Sequence, residues 1–387
     1  MELLKQKGGI KMLSLYHSQI QDILDRLYSL PTKLALMMTG TFGIGKTDAV
    51  RRFAIRKAKE LGLEFSQDFA DVNNEKKFMF LVLPLHQYEP AEIKGLPFPN
   101  SDRTQTVYLP VGLLPTKGQG VILLDEINLA PPMLQSNAYQ LIEDRRLGFY
   151  TVPDGVMIIG AGNRDDDRGH TFDMAMPLNN RFLHAELHIP PVDDIEVSGE
   201  KIKGWANDFA IPAGVDHRIV NYLSYQKKHL FTYDPTKDIC EPTIATPRMW
   251  VKVSTLIKGI PDKDEDALYR YISMGVGTGI AQEMCAWLKL SRKYDIPAIY
   301  KSGKFERPDD IGQLYSLISA FVGHYMERMT AENAVRLLEL ACIFKKEHTC
   351  MLLNQAKYAD KDYFAKVKKT APDKFTKLAD SIFALLI

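Results

Sequence analysis

The stretch Gly40-Thr41-Phe42-Gly43-Ile44-Gly45-Lys46-Thr47 decides the fold of this chain. It fits G-x-x-x-x-G-K-T without a mismatch, follows the apolar run Leu34-Ala35-Leu36-Met37-Met38 and leads into a helical pattern. A strand feeding a glycine-rich turn and then a helix is the setting in which this pattern builds a phosphate site. Gly40, Gly43 and Gly45 let backbone N–H groups turn inward around a phosphate, with Thr41, Phe42 and Ile44 completing the cradle. The helix N-terminus adds its positive dipole end. Lys46 is placed to reach the β- and γ-phosphates, and Thr47 to put its hydroxyl on Mg²⁺. Beyond the loop, Ala49, Val50, Phe53, Ala54, Ala58 and Leu61 recur at i, i+3, i+4 spacing and predict one apolar helix face. Arg51, Arg52, Arg56, Lys57 and Lys59 fall mostly off that face and read as a solvated basic surface.

A length of 387 residues predicts two or three domains. Hydrophobic content of 45% and charged content of 25% place the chain among ordinary globular proteins. A net charge of +1 provides no global basic field, so nothing in the balance demands nucleic acid. Cys240, Cys285, Cys342 and Cys350 lack C-x-x-C spacing and read as free thiols in a reducing compartment. No apolar run approaches the length of a membrane span, and MELLKQKGGIKML lacks a signal-peptide core, so a soluble cytoplasmic protein is expected.

Val121-Ile122-Leu123-Leu124 has the continuous apolar character of a strand buried on both faces of a parallel sheet, and it ends in Asp125-Glu126. A carboxylate at the C-terminal end of such a strand lies where open α/β sheets bind ligands. Asp125 is placed to hold Mg²⁺ and Glu126 to polarise a water for attack on a γ-phosphate. A helix follows, with Pro131 and Pro132 in its first turn and Leu134, Ala138, Leu141 and Ile142 on its apolar face. Residues 148–155 read as a hairpin turning at Asp154-Gly155. Val156-Met157-Ile158-Ile159 predicts another buried strand, ending at Gly160-Ala161-Gly162-Asn163, where Asn163 could hold the attacking water. Asp165, Asp166 and Asp167 read as a solvated turn in preference to a metal cluster.

The phosphate loop, VILLDEIN, MIIGAGN, NNRF at 179–182 and ATPRMW at 245–250 stand in the order of an AAA+ ATPase, which the chain resembles over residues 14–290. The DEIN run with Pro131-Pro132 behind it, the AGN strand end and Asn180-Arg181-Phe182 resemble the MoxR branch. The resemblance implies a P-loop AAA+ core, a parallel sheet flanked by helices, followed by an α-helical lid. It implies that Asn163 is a first sensor, that Arg181 is a finger reaching the neighbouring subunit's nucleotide, and that Arg248 is a lid arginine reaching the γ-phosphate of its own subunit. It also implies that inserted hairpins, within 86–115 and near 148–156, touch substrate; Phe98, Tyr108 and Phe149 are the side chains to test.

The expected division is an α/β core over 1–194, a helical lid over 195–295 and a C-terminal helical extension over 296–387. In the extension, Ile311, Leu314, Leu317, Ile318 and Phe321, then Ala334, Leu337, Leu338, Leu340 and Ala341, predict amphipathic helices. Lysines among Tyr363, Phe364 and Phe375 could face nucleic acid, but interleaved aspartates favour a solvated face. What the resemblance implies is ATP hydrolysis with Mg²⁺ in a ring, a hexamer, remodelling a protein partner such as one with a von Willebrand A domain. A DNA-acting motor or loader, and a slow nucleotide-gated switch, are the alternatives. The even charge disfavours the first, and the presence of both Glu126 and Arg181 the second.

Overall fold

A computed structural model describes residues 13–89, 96–109, 112, 114–147, 150–164, 167, 172–236 and 242–376. The chain forms two compact units, Met1–Ile189 and Pro190–Ile387.

The first unit is built on a seven-stranded parallel sheet. Its strands are β1 (Leu13–Leu15), β2 (Leu36–Thr39), β3 (Glu64–Ser66), β4 (Lys77–Pro84), β5 (Gln119–Asp125), β6 (Val156–Gly162) and β7 (Leu183–Leu187). They lie in the order β1-β7-β2-β6-β5-β4-β3. Val121 to Leu124 and Val156 to Ile159 are buried throughout, as two-face burial requires. The register Ile159↔Leu36 and Ile159↔Leu123 places β6 between the loop strand β2 and the acidic strand β5. Helices α1 (His17–Ser29), α2 (Lys46–Glu60), α3 (Pro132–Glu143) and α4 (Met176–Asn179) connect the strands. The expected face of α2 is buried from Ala49 to Ala58, whereas Leu61, one residue past the helix, is exposed. The basic side chains of α2 are paired as well as solvated: Arg51 with Asp48, and Arg56 and Lys57 with Asp25 and Glu60.

One hairpin pairs Leu96–Pro99 with Thr106–Leu109, inside the expected insertion. A second pairs Arg146–Leu147 with Tyr150–Thr151, in the register Leu147↔Tyr150. That register places this hairpin's reversal between Leu147 and Tyr150 and not at Asp154-Gly155, where a separate turn is closed by the Val156 N–H donating to the Pro153 carbonyl at 3.0 Å. Asp154-Gly155 leads into β6, and the Gly155 carbonyl accepts from the Gly120 N–H at 3.1 Å.

The second unit opens with a small hairpin of Ile195–Val197 and Glu200–Ile202 and is otherwise helical. Its longer helices are α5 (His217–Tyr225), α6 (Pro247–Ile257), α7 (Glu265–Val276), α8 (Thr278–Leu288), α9 (Ile296–Ser302), α10 (Ile311–Glu327), α11 (Ala331–Ala341), α12 (Lys346–Ala359) and α13 (Tyr363–Thr370). Two apolar clusters fill it. One, from Val192 to Leu288, centres on Trp250, Tyr222 and Trp287; the other, from Ile299 to Val367, on Phe321, Tyr325 and Tyr363. Tyr363 is fully buried and Phe364 and Phe375 pack against the same cluster, while Lys366 pairs with Asp360 and Lys374 with Glu339. Tyr363 thus belongs to the core, and Phe364 and Phe375 are partly buried against it. Among the described residues no helix is long and apolar enough to cross a membrane.

Candidate phosphate site

The loop between β2 and α2 takes the shape its glycines allow. Gly43 and Gly45 have φ of +72° and +99°, where a Cβ is strained, and Gly45 caps α2. The N-terminus of α2 therefore opens onto the turn with its first N–H groups outside the helix ladder. Thr41 and Ile44 are buried and Phe42 is half-buried.

Lys46 is the first residue of α2 and is buried. Its Nζ donates to the carbonyls of Gly40 (2.7 Å) and Thr41 (2.9 Å) and to Oδ1 of Asn163 (2.9 Å). These are the bonds of an ammonium folded back on its own loop; phosphate oxygens would compete for the same donors. Asn163 follows β6, which explains the meeting: β6 neighbours β2, so its end lies beside the loop. Thr47 Oγ1 donates to Asp125 Oδ2 at 2.8 Å, bridging from the loop helix to the end of β5. The ends of three strands thus converge at one point, on Lys46, Thr47, Asp125 and Asn163.

Glu126 follows Asp125 with φ +52° and ψ +40°, an uncommon backbone for a residue with a side chain. Its N–H donates to Asp125 Oδ1 at 3.0 Å, and its side chain stays 45% exposed, with a carboxylate oxygen 3.8 Å from Nε2 of His86. His86 lies just past β4, the strand whose Pro84 pairs with Asp125. No spacing in the sequence marks it. Asn128 was visible only as a letter of the DEIN run. It is buried and clamps the backbone of Asn163, donating from Nδ2 to the Asn163 carbonyl (2.8 Å) and accepting at Oδ1 from its N–H (3.3 Å). A Cβ on Gly162 would lie 2.8 Å from Asn128 Oδ1, so only glycine fits beside this clamp.

Of the acidic run read as a solvated turn, Asp167 is half-buried and bonded within its own unit. Its carboxylate accepts from Thr41 Oγ1 at 3.0 Å and from the Arg164 N–H at 3.2 Å, while Arg164 pairs with Glu186 at 2.5 Å. Asp165 and Asp166 lie outside the described residues. Among those described, no cluster of three or more histidine, cysteine or carboxylate side chains forms a metal site. Thr47 and Asp125 instead offer two adjacent hard oxygens, a donor set that suits Mg²⁺, which takes few protein ligands and completes its shell with phosphate and water.

Arg181 follows α4 and is one-third exposed. It donates from Nη1 to the Pro177 carbonyl at 2.6 Å, lies 5.3 Å from the Tyr139 ring centroid, and its Nε is 3.9 Å from Glu143. Arg248 is exposed in the first turn of α6, in the second unit, where Thr246 Oγ1 caps the helix by accepting from the Met249 N–H at 3.2 Å. Phe98 is exposed on its hairpin. Phe149 and the Tyr108 side chain lie outside the described residues.

No protein-family model and no curated protein sequence matches this chain. Among solved structures it is similar to the RuvB Holliday junction branch migration motor of Thermotoga maritima, at 12% identity and a TM-score of 0.34, over 80% of this chain and 75% of that one. It is also similar to Hsp104 solved with ATPγS and casein, at 12% identity and a TM-score of 0.32, over 75% of this chain and 45% of Hsp104. At this identity and score the likeness carries no inference about chemistry, which rests on the geometry of the chain itself.

Proposed function

We propose that this chain is an AAA+ ATPase that hydrolyses ATP with Mg²⁺. One observation carries the reading: Lys46–Asn163 and Thr47–Asp125 draw the phosphate loop, the acidic strand and the strand between them to a single point. Lys46 holds the β- and γ-phosphates, giving up its loop carbonyls to do so. Mg²⁺ held by Thr47 and Asp125 would neutralise charge on the phosphate oxygens. Glu126, exposed beside that pair, takes a proton from the attacking water, and Asn163 positions the water.

The finer reading follows the sequence resemblance. Arg181 serves the nucleotide of a neighbouring subunit in a ring, taken to be a hexamer, and Arg248 reads the γ-phosphate from the lid. The inserted hairpins are consistent with a MoxR-like chain, and on that reading it remodels protein partners such as those with von Willebrand A domains. The lid and extension, 195–295 and 296–387, are proposed as separate parts of the second unit.

The test is hydrolysis with and without Mg²⁺, together with light scattering in the presence of a non-hydrolysable ATP analogue. Mg²⁺-dependent phosphate release, abolished with nucleotide binding in Lys46→Ala, and a particle of several subunits are expected. A chain that binds no nucleotide would sink the whole reading. Hydrolysis by a permanent monomer would sink the ring alone.

A further inference from the structure

Helix α1 grips the phosphate loop from outside. His17, its first residue, is buried, and Nε2 lies 2.8 Å from the carbonyl oxygen of Ile44. A carbonyl only accepts, so Nε2 carries the proton. One helical turn on, Gln21 donates from Nε2 to the Ala49 carbonyl at 2.9 Å. After another turn, Asp25 pairs with Arg56 at 2.6 Å and Lys57 at 2.7 Å. Residues 17, 21 and 25 share one face of α1. Together they brace the loop, the first turn of α2 and its last turn, in that order.

The contact at Ile44 has a consequence for anion binding. The peptide joining Ile44 to Gly45 is trans, as are all those among the described residues. In a trans peptide the C=O and N–H point in opposite directions. Holding the Ile44 oxygen outward, against His17, therefore turns the Gly45 N–H inward, toward the mouth of the loop. That N–H precedes the open N-terminus of α2, where a phosphate would be bound. Gly45 itself, at φ +99°, has little torsional restraint of its own. A Cβ on Gly45 would lie 3.5 Å from His17 Nε2, so the ring fills the space behind the turn.

We infer that His17 is a positioning residue for phosphate binding: it fixes the Ile44–Gly45 peptide so that the Gly45 N–H faces the ligand. This rests on the reading of residues 40–47 as a phosphate loop. The ligand class is the diphosphate moiety shared by ADP and ATP. A grip present in ground and transition states alike changes KM and leaves kcat.

The experiment is calorimetric titration of the full-length chain with ADP, alongside hydrolysis kinetics and melting without nucleotide. His17→Leu keeps bulk and loses the donor; His17→Gln restores a side-chain N–H at similar reach. His17→Leu is expected to bind ADP about tenfold more weakly, the value of one lost hydrogen bond. Its kcat at saturating ATP should stay within about threefold of the parent, and His17→Gln should recover affinity to within about threefold. Should the leucine variant not fold, His17→Met carries the same comparison. Parental ADP affinity in His17→Leu, or equal weakening in the leucine and glutamine variants, overturns the inference. If the parent binds ADP and Lys46→Ala does not, that failure belongs to His17 alone. If the parent itself binds no ADP, the phosphate-loop reading fails and this one with it.

Discussion

In the first unit the buried lysine, Lys46, donates to the carbonyls of Gly40 and Thr41 and to the Asn163 amide oxygen. In the second unit the buried arginine, Arg218, is bound by Asp216 through two bonds of 2.9 and 2.7 Å, by Asp262 at 3.0 Å, and by the carbonyls of Ile257 and Ile260. The carboxylates of Asp216 and Asp262 cancel the charge of Arg218 where it is buried, whereas the three bonds named for Lys46 run to oxygens of the loop and of the neighbouring strand end. The amides differ in the same way. Asn163 points its side chain at Lys46, while Asn221 and Gln355 close a reciprocal buried pair at 3.1 Å each way. Polar groups at the strand ends can be recruited by a ligand. Those inside the helical unit already satisfy each other and hold it together.

The sharpest way to break this contrast is to make the same chemical change on both sides. Glu126→Gln should cut ATP turnover by about 10⁴-fold, with binding and melting temperature nearly unchanged. Asp216→Asn, which leaves Arg218 short of its principal counter-charge, should instead destabilise the fold by about 3 kcal/mol and leave turnover per folded molecule intact. Denaturant melts and steady-state kinetics on both variants decide it; if the two perturb the same readout, the contrast is wrong.

Arg181 sits between the two categories, since the Pro177 carbonyl and Tyr139 already hold it within its own chain. As a finger, Arg181→Ala should lose about 10³-fold in hydrolysis with ADP affinity kept. Mixing it with Lys46→Ala protein should restore activity, because mixed rings contain interfaces with both groups intact. A lower melting temperature without rescue, in co-assembled and folded proteins, assigns it to structure.

Within the helical unit, Asn221→Leu or Gln355→Leu alone should cost about 2 kcal/mol, because each leaves a buried amide without its partner. The double variant should cost less than the two singles added together. Additive losses in chemical denaturation would show that the two amides are not one unit.

The smallest effect is expected from acid. Burial holds His217, His229, His324 and His348 below the ordinary histidine range. The unfolded chain takes up these protons below about pH 6.5 and the folded chain resists them, so stability falls as pH drops through that value. At Asp216 burial alone would raise the carboxyl, but its bonds to Arg218 and the nearby positive charges outweigh it, and the net shift is downward. That stability is present above about pH 3.9 and is lost only as pH falls through the depressed folded value. Hydrogen exchange of α5 and α10 at pH 7.5 and 5.5 should show faster opening at the lower pH; equal rates would remove the histidines from the account.

The loop and the strands beside it were legible because their signals are local. Val121 to Leu124 can only be a strand buried on both faces, and glycines at 43 and 45 can only serve a turn of that shape. Asp125, Thr47, Lys46 and Asn163 meet because parallel strands all end on one edge. Misplacing the second hairpin's turn came from reading Asp154-Gly155 in isolation, when those residues were needed to approach the start of β5. His17, His86 and Asp167 were beyond reach for another reason. Their partners, Ile44, Glu126 and Thr41, lie 27, 40 and 126 positions away, and neither period nor spacing encodes a meeting at that range. The Asn221–Gln355 pair, 134 positions apart, was hidden in the same way.

The glycine at the end of β6 bears on how this site fails. Gly162 contributes no charge, donor or nucleophile, yet a single methyl group there would press on Asn128 Oδ1 and on the Met37 side chain, both at 2.8 Å. One of those neighbours orients Asn163 and the other belongs to the strand that feeds the loop. The machining tolerance of the centre is therefore set by a position that takes no part in its chemistry. Damage there would spread to two working parts at once, whereas the loss of any one reacting group would stay local.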